Sequence, residues 1–85
     1  MTLRVGIYVY PDVEVLDFAG PFEVFSTASR VARRGDPAAT LPFAVSLLAA
    51  TREPVRARAG FTVVPDHALA DHPPLDVLIV PGGVH

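Results

Sequence analysis

Leu16-Asp17-Phe18-Ala19-Gly20-Pro21-Phe22-Glu23-Val24-Phe25 places a carboxylate inside an otherwise apolar helical pattern. At about 100° per residue, Pro21, Val24, Ala28 and Val31 fall within roughly 40° of Asp17, with Phe18, Phe25 and Ala32 flanking. Glu23, Ser26, Arg30 and Arg33 fall on the opposite side. The pattern predicts a helix whose apolar face contains Asp17. A carboxylate in such a place must be hydrogen-bonded, paired or protonated, because burying it ionised and alone is costly. Pro21 has no N–H to offer the carbonyl of Asp17 four residues earlier, and its ring crowds that carbonyl, so a kink is expected there. Gly20 removes a side chain and lets a ligand or another backbone approach. An acid near a helix start is also favoured by the helix dipole, and Gly-Pro can serve packing alone. Both readings stay open at this point.

Outward from this helix the chain reads as strands. Leu3, Val5, Ile7 and Val9 alternate with Gly6, Tyr8 and Tyr10, and both sets are mostly apolar, as in a central strand covered on each side. Pro11-Asp12 ends that strand, and Asp12 is positioned to cap the helix. Glu14 and Asp17 lie at the positive end of the helix, Arg30, Arg33 and Arg34 at its negative end, and Gly35 is expected to close it. After the Pro37 and Pro42 connection, Phe43 to Ala50 predicts a second buried strand, completing a βαβ unit. Val55 to Arg58 and Phe61 to Val64 flank Ala59-Gly60 and predict a hairpin arm with its arginines in water. Pro65 to Leu75 is broken by proline and acid, with one helical turn expected near Ala68 to Ala70. Asp76 to Val80 is a strand running straight into Pro81-Gly82-Gly83.

The totals exclude several functions. Eighty-five residues of net charge −2, 51% of them hydrophobic, make one domain at most. No apolar run reaches the roughly 20 residues of a membrane span, and no export signal opens the chain, so a cytoplasmic protein without membrane contact is expected. Outside Arg30, Arg33 and Arg34 there is no basic cluster, so this segment should make no nucleic acid contact. There is no cysteine, hence no disulfide, thiolate metal site or cysteine nucleophile within these residues.

In parallel α/β sheets ligands bind beyond the carboxyl ends of the strands. Asp17, just after the first strand, and Gly82 and Gly83, at the end of the last, would meet there if the two strands are neighbours. Consecutive glycines expose main-chain N–H groups, as an oxyanion site requires, although a Gly-Gly can equally be a plain turn. His67 and His72 lie in a Pro/Asp-rich stretch expected to be exposed and do not have the spacing of a metal site. His85 beside the glycines is a weak ligand-facing candidate, and Glu23 is expected to be solvated.

The opening strand with Tyr10-Pro11-Asp12, the run from Leu16 to Phe25, and Asp76-Val77-Leu78-Ile79-Val80-Pro81-Gly82-Gly83 resemble the ThiJ/PfpI superfamily, relatives of class I glutamine amidotransferases. The resemblance implies a flavodoxin-like three-layer sandwich with a mainly parallel sheet. Residues 1–85 would be the amino-terminal portion of a single such domain. The Asp-x-x-Gly-Pro-x-Glu-Val-Phe wording is most similar to isonitrile hydratases and to sensor domains of AraC-type transcription regulators. In such proteins an acid on the first helix hydrogen-bonds a reactive cysteine, which Asp17 matches, and the glycines after the strand offer main-chain donors, which Gly82 and Gly83 match. The cysteine is expected beyond His85. The resemblance implies a small-molecule substrate or ligand, a homodimer, and neither cofactor nor metal. Other branches are proteases, deglycases and stress chaperones.

Overall fold

The alternation of the first strand is realised at the centre of a sheet. In a computed structural model, which describes residues 1–82, β1 (Leu3–Tyr8) pairs in parallel with β2 (Phe43–Ala49) on one side and β6 (Val77–Ile79) on the other. β5 (His67–Ala68) adds to β2, giving the order β5-β2-β1-β6. Ile7 stands level with Leu47 and Ile79, and Val5, Ile7 and Val9 are wholly buried. The connection from β1 to β2 is α1 (Val15–Gly35), one helix that runs through Gly20 and Pro21. On the other face Gly6 admits the chain of Leu75: a β-carbon at residue 6 would stand 2.7 Å from Leu75 Cδ1 and 2.9 Å from Leu48 Cδ1.

α1 does not bury the face that contains Asp17. Phe18 and Ser29 are its buried residues, with Phe22 and Phe25 half-buried beside them, whereas Asp17, Val24, Ala28 and Val31 are exposed. The stripe Phe18, Phe22, Phe25, Ser29 is rotated by about 100° from Asp17. Three phenyl rings decide the rotation, since each buries more apolar area than a valine or an alanine. Phe25 meets Phe43 edge-on at 4.8 Å. Ser29 Oγ donates to the Phe43 carbonyl at 3.1 Å and accepts from its N–H at 3.3 Å. The one polar group on the buried stripe is thereby satisfied by the first residue of β2.

Four local expectations are corrected. Asp12 does not cap α1: the N-cap is Glu14, and Asp12 sits at φ 67°, a left-handed turn conformation that Asp tolerates better than most residues. Gly35 is still helical and Asp36 is the C-cap. Ala68 to Ala70 is not a helical turn, because Asp66 and Leu69 donate to the Leu47 and Ala49 carbonyls and draw His67–Ala68 into the sheet as β5. His67 and His72 are half-buried rather than exposed. The hairpin arm forms as expected, β3 (Val55–Arg56) antiparallel to β4 (Thr62–Val63), with the turn at Ala59 (φ 61°) and Gly60 (φ 83°). Arg56 and Arg58 are exposed.

Candidate functional site

Parallel pairing of β1 and β6 brings their carboxyl ends together, and the turn at Pro11 and Asp12 carries the chain from one end into α1. Asp17 therefore lies in the first turn of the helix directly over the end of β6. A β-carbon built on Gly82 would stand 3.2 Å from Asp17 Oδ2. Two further bonds hold this geometry. The Glu14 N–H donates to the Gly82 carbonyl at 3.1 Å, and Tyr10 Oη donates to the Pro81 carbonyl at 2.5 Å. Asp17 and Gly82 are both exposed, so the acid is turned toward solvent in this chain and not into the core. Of the sequence-derived site residues, the structure brings Asp17 and Gly82 together, with Gly20 and Pro21 in the same helix. Gly83 and His85 lie outside the described residues.

The arm completes the surroundings. The Asp12 N–H donates to the Arg56 carbonyl at 2.9 Å, the Arg58 N–H donates to the Val13 carbonyl at 3.0 Å, and Arg58 Nη1 reaches Glu14 Oε1 at 2.6 Å. Phe61, half exposed, tilts against buried Phe18 with ring centroids 6.5 Å apart. The sequence gives no signal for the Glu14–Arg58 pair, which joins residues far apart in the chain.

Two cavities lie elsewhere. One of about 350 Å³ opens beyond the carboxyl ends of β1 and β2, lined by Tyr8, Tyr10, Pro11, Ala49, Thr51 and Val55. The other, about 600 Å³, lies between the last turns of α1 and the start of β2, lined by Arg30, Arg33, Arg34, Leu41 and Phe43. Neither is lined by Asp17 or Gly82. Among the described residues there is no cluster of three metal-ligating side chains, and no helix is long and apolar enough to cross a membrane.

A parallel sheet with β1 at its centre, a crossover helix opening on an acid, and a glycine ending the neighbouring strand define an α/β protein of the flavodoxin-like type, with the candidate site at the strands' carboxyl ends. No family model matches the sequence. Over 83 residues it is 31% identical to the isonitrile hydratase of Pseudomonas putida, covering 98% of this chain and 31% of that protein. It is 35% identical over 83 residues to an uncharacterized protein in the cpoL 5′ region of Streptomyces lividans, covering 94% of this chain and 51% of that one. The chain thus spans a third to a half of the length of these relatives. The structure superimposes on a ThiJ/PfpI family protein from Pseudomonas syringae with a TM-score of 0.76 at 26% identity, covering 98% of this chain and 30% of that chain. An AraC family transcriptional regulator from Pseudomonas putida shares the fold, with a TM-score of 0.74 at 24% identity over 96% of this chain and 48% of its own. In fold the chain matches ThiJ/PfpI proteins, and in sequence it is similar to an isonitrile hydratase.

Proposed function

We propose that this chain carries the acid-bearing part of an isonitrile hydratase-type site, in which a cysteine from outside these 85 residues adds to the isonitrile carbon and Asp17 handles the protons. The thiolate sulfur bonds to the terminal carbon of R–N≡C while that carbon takes a proton, giving a thioimidate. Water then adds to the same carbon, one of its protons passing to the nitrogen and the other to the carboxylate, the sulfur leaves as the thiolate it was at the start, and the product is R–NH–CHO, so one water is consumed overall. A carboxyl group poised at the strand ends can give the first proton and take it back from water. The single observation that supports this reading is the placement of Asp17 Oδ2 against Gly82 at the carboxyl ends of β1 and β6. The identity to an isonitrile hydratase points the same way. The test is formamide production by the intact protein and its Asp17→Asn variant. A loss of about 100-fold or more is expected, and equal rates would remove Asp17 from the mechanism.

A second reading is the ligand-sensing domain of an AraC-type regulator, favoured by the shared fold with such a regulator. A basic helix-turn-helix in the same polypeptide, with DNA binding that responds to a small molecule and no formamide formed, selects it. Protease, deglycase or chaperone activity, as in other branches of the superfamily, ranks below both. In either leading reading the protein acts in the cytoplasm as a homodimer.

A further inference from the structure

Glu14 makes two contacts that join three separate elements. Its main-chain N–H donates to the Gly82 carbonyl at the end of β6, at 3.1 Å, and its Oε1 accepts from Arg58 Nη1 on the arm, at 2.6 Å. Arg58 is itself fixed, because its N–H donates to Val13 at 3.0 Å while Arg56 accepts from Asp12 at 2.9 Å. Behind these bonds Val13, Val55, Ala57 and Val63 are buried as one cluster with Phe18. The arm, residues 12–14 and the end of β6 therefore form one joint. Asp17 sits on that joint, with its N–H returned to the Glu14 carbonyl at 3.1 Å.

We propose that Glu14 and Arg58 are positioning residues, whose ion pair holds the arm against the first turn of α1 and so fixes Gly82 opposite the Asp17 carboxylate. Neither touches the reacting atoms. The consequence for chemistry rests on reading Asp17 as the proton-handling acid, whereas the positioning itself does not. The pair is partly exposed, 57% and 40% for the two side chains, so its effect is that of a surface ion pair, a change of about two- to fivefold.

Amide hydrogen exchange on the intact protein tests the joint directly, because the Glu14 N–H reports its bond to Gly82. Arg58→Ala and Glu14→Gln, which keeps the main-chain donor, are each expected to speed exchange of the Glu14 N–H by about two- to fivefold, with the Ile7 N–H of β1 unchanged. Arg58→Lys is expected to restore part of the protection, since a lysine keeps the charge but not the planar fork. Arg30→Ala, which breaks the Arg30–Glu23 pair on the far side of α1, serves as the control and should leave Glu14 unaffected. In an enzyme that makes formamide, Arg58→Ala should lower kcat by a similar factor with KM unchanged. Unchanged exchange at Glu14 overturns the proposal, as does faster exchange with no change in kcat in an enzyme that Asp17→Asn slows. If the unaltered protein forms no formamide, the hydratase reading fails and exchange alone decides the positioning role.

Discussion

Asp17 Oδ2 lies 3.2 Å from the point where a β-carbon on Gly82 would stand. That separation is tighter than ordinary van der Waals contact, and Gly82 has no left-handed φ that would itself forbid alanine. Gly82→Ala therefore leaves the backbone intact and pushes the exposed carboxylate aside by a few tenths of an ångström. Formamide production is expected to fall by about tenfold, since small misplacements of a reacting group are costly. Stability, read from the urea midpoint, should change by less than about 1 kcal/mol. A variant as fast as the unaltered protein would show that the closeness of the two residues is not used.

Ser29 is the second position where one side chain is decisive. Its hydroxyl both donates to and accepts from the main chain of Phe43, within the buried contact between α1 and β2. Ser29→Ala keeps the volume close to the original but strips both partners of a bond where little water can replace it. A destabilisation of about 1–3 kcal/mol is expected in urea denaturation. Ser29→Thr, which retains the hydroxyl, should recover part of it.

Apart from β5, which forms only through bonds to β2, the order of strands and helix was legible because each rests on a local rule. The period of two in Leu3 to Val9 reads as a buried strand, the Ala59-Gly60 turn between two short apolar runs reads as a hairpin, and Pro81-Gly82 ends the last strand. The meeting of Asp17 with Gly82 followed from parallel pairing of β1 with β6. The rotation of α1 was not legible by counting apolar positions, because Phe18, Phe22 and Phe25 outweigh the more numerous small residues around Asp17. Ser29 was hidden for a related reason: its partner is a main-chain group on another element, which no side-chain pattern reveals. The same holds for Glu14 and Arg58, whose contact exists only once the arm has folded over the first turn of the helix.

Asp71 gives the fold a pH-dependent element away from the site. The Ala68 N–H donates to its Oδ1 at 3.0 Å and this bond is the main cause that holds its carboxyl below the ordinary 3.8, against the opposing effect of desolvation. Arg52 at 2.5 Å and the nearby His67 act in the same direction as Ala68. A carboxyl depressed in the folded state contributes stability above its unfolded value and loses it as pH falls through the folded one. Stability should thus decline below about pH 4, where the unfolded chain begins to take up the proton first. Asp71→Asn removes this contribution and should flatten that decline, read as the urea midpoint at pH 5 against pH 3. An equally steep decline in the variant would assign the acid sensitivity to other carboxylates.

Pro21 links stability and the site in opposite directions. It lies inside α1, and it cannot donate to the carbonyl of Asp17 four residues earlier. Pro21→Ala supplies that N–H and relieves the ring's pressure on the carbonyl, a gain of up to about 3 kcal/mol in helix preference. Against it stands the lost packing of a half-buried ring, about 1 kcal/mol. The net expectation is a helix more stable by about 1–2 kcal/mol, seen as a higher Tm. The same substitution draws the carbonyl of Asp17 into the helical ladder and shifts its carboxylate relative to Gly82, so formamide production should fall while Tm rises. A fall in both would mean that the ring's packing outweighs the missing hydrogen bond. A rise in Tm with an unchanged rate would mean that the proline acts on the helix alone and has no part in setting the acid.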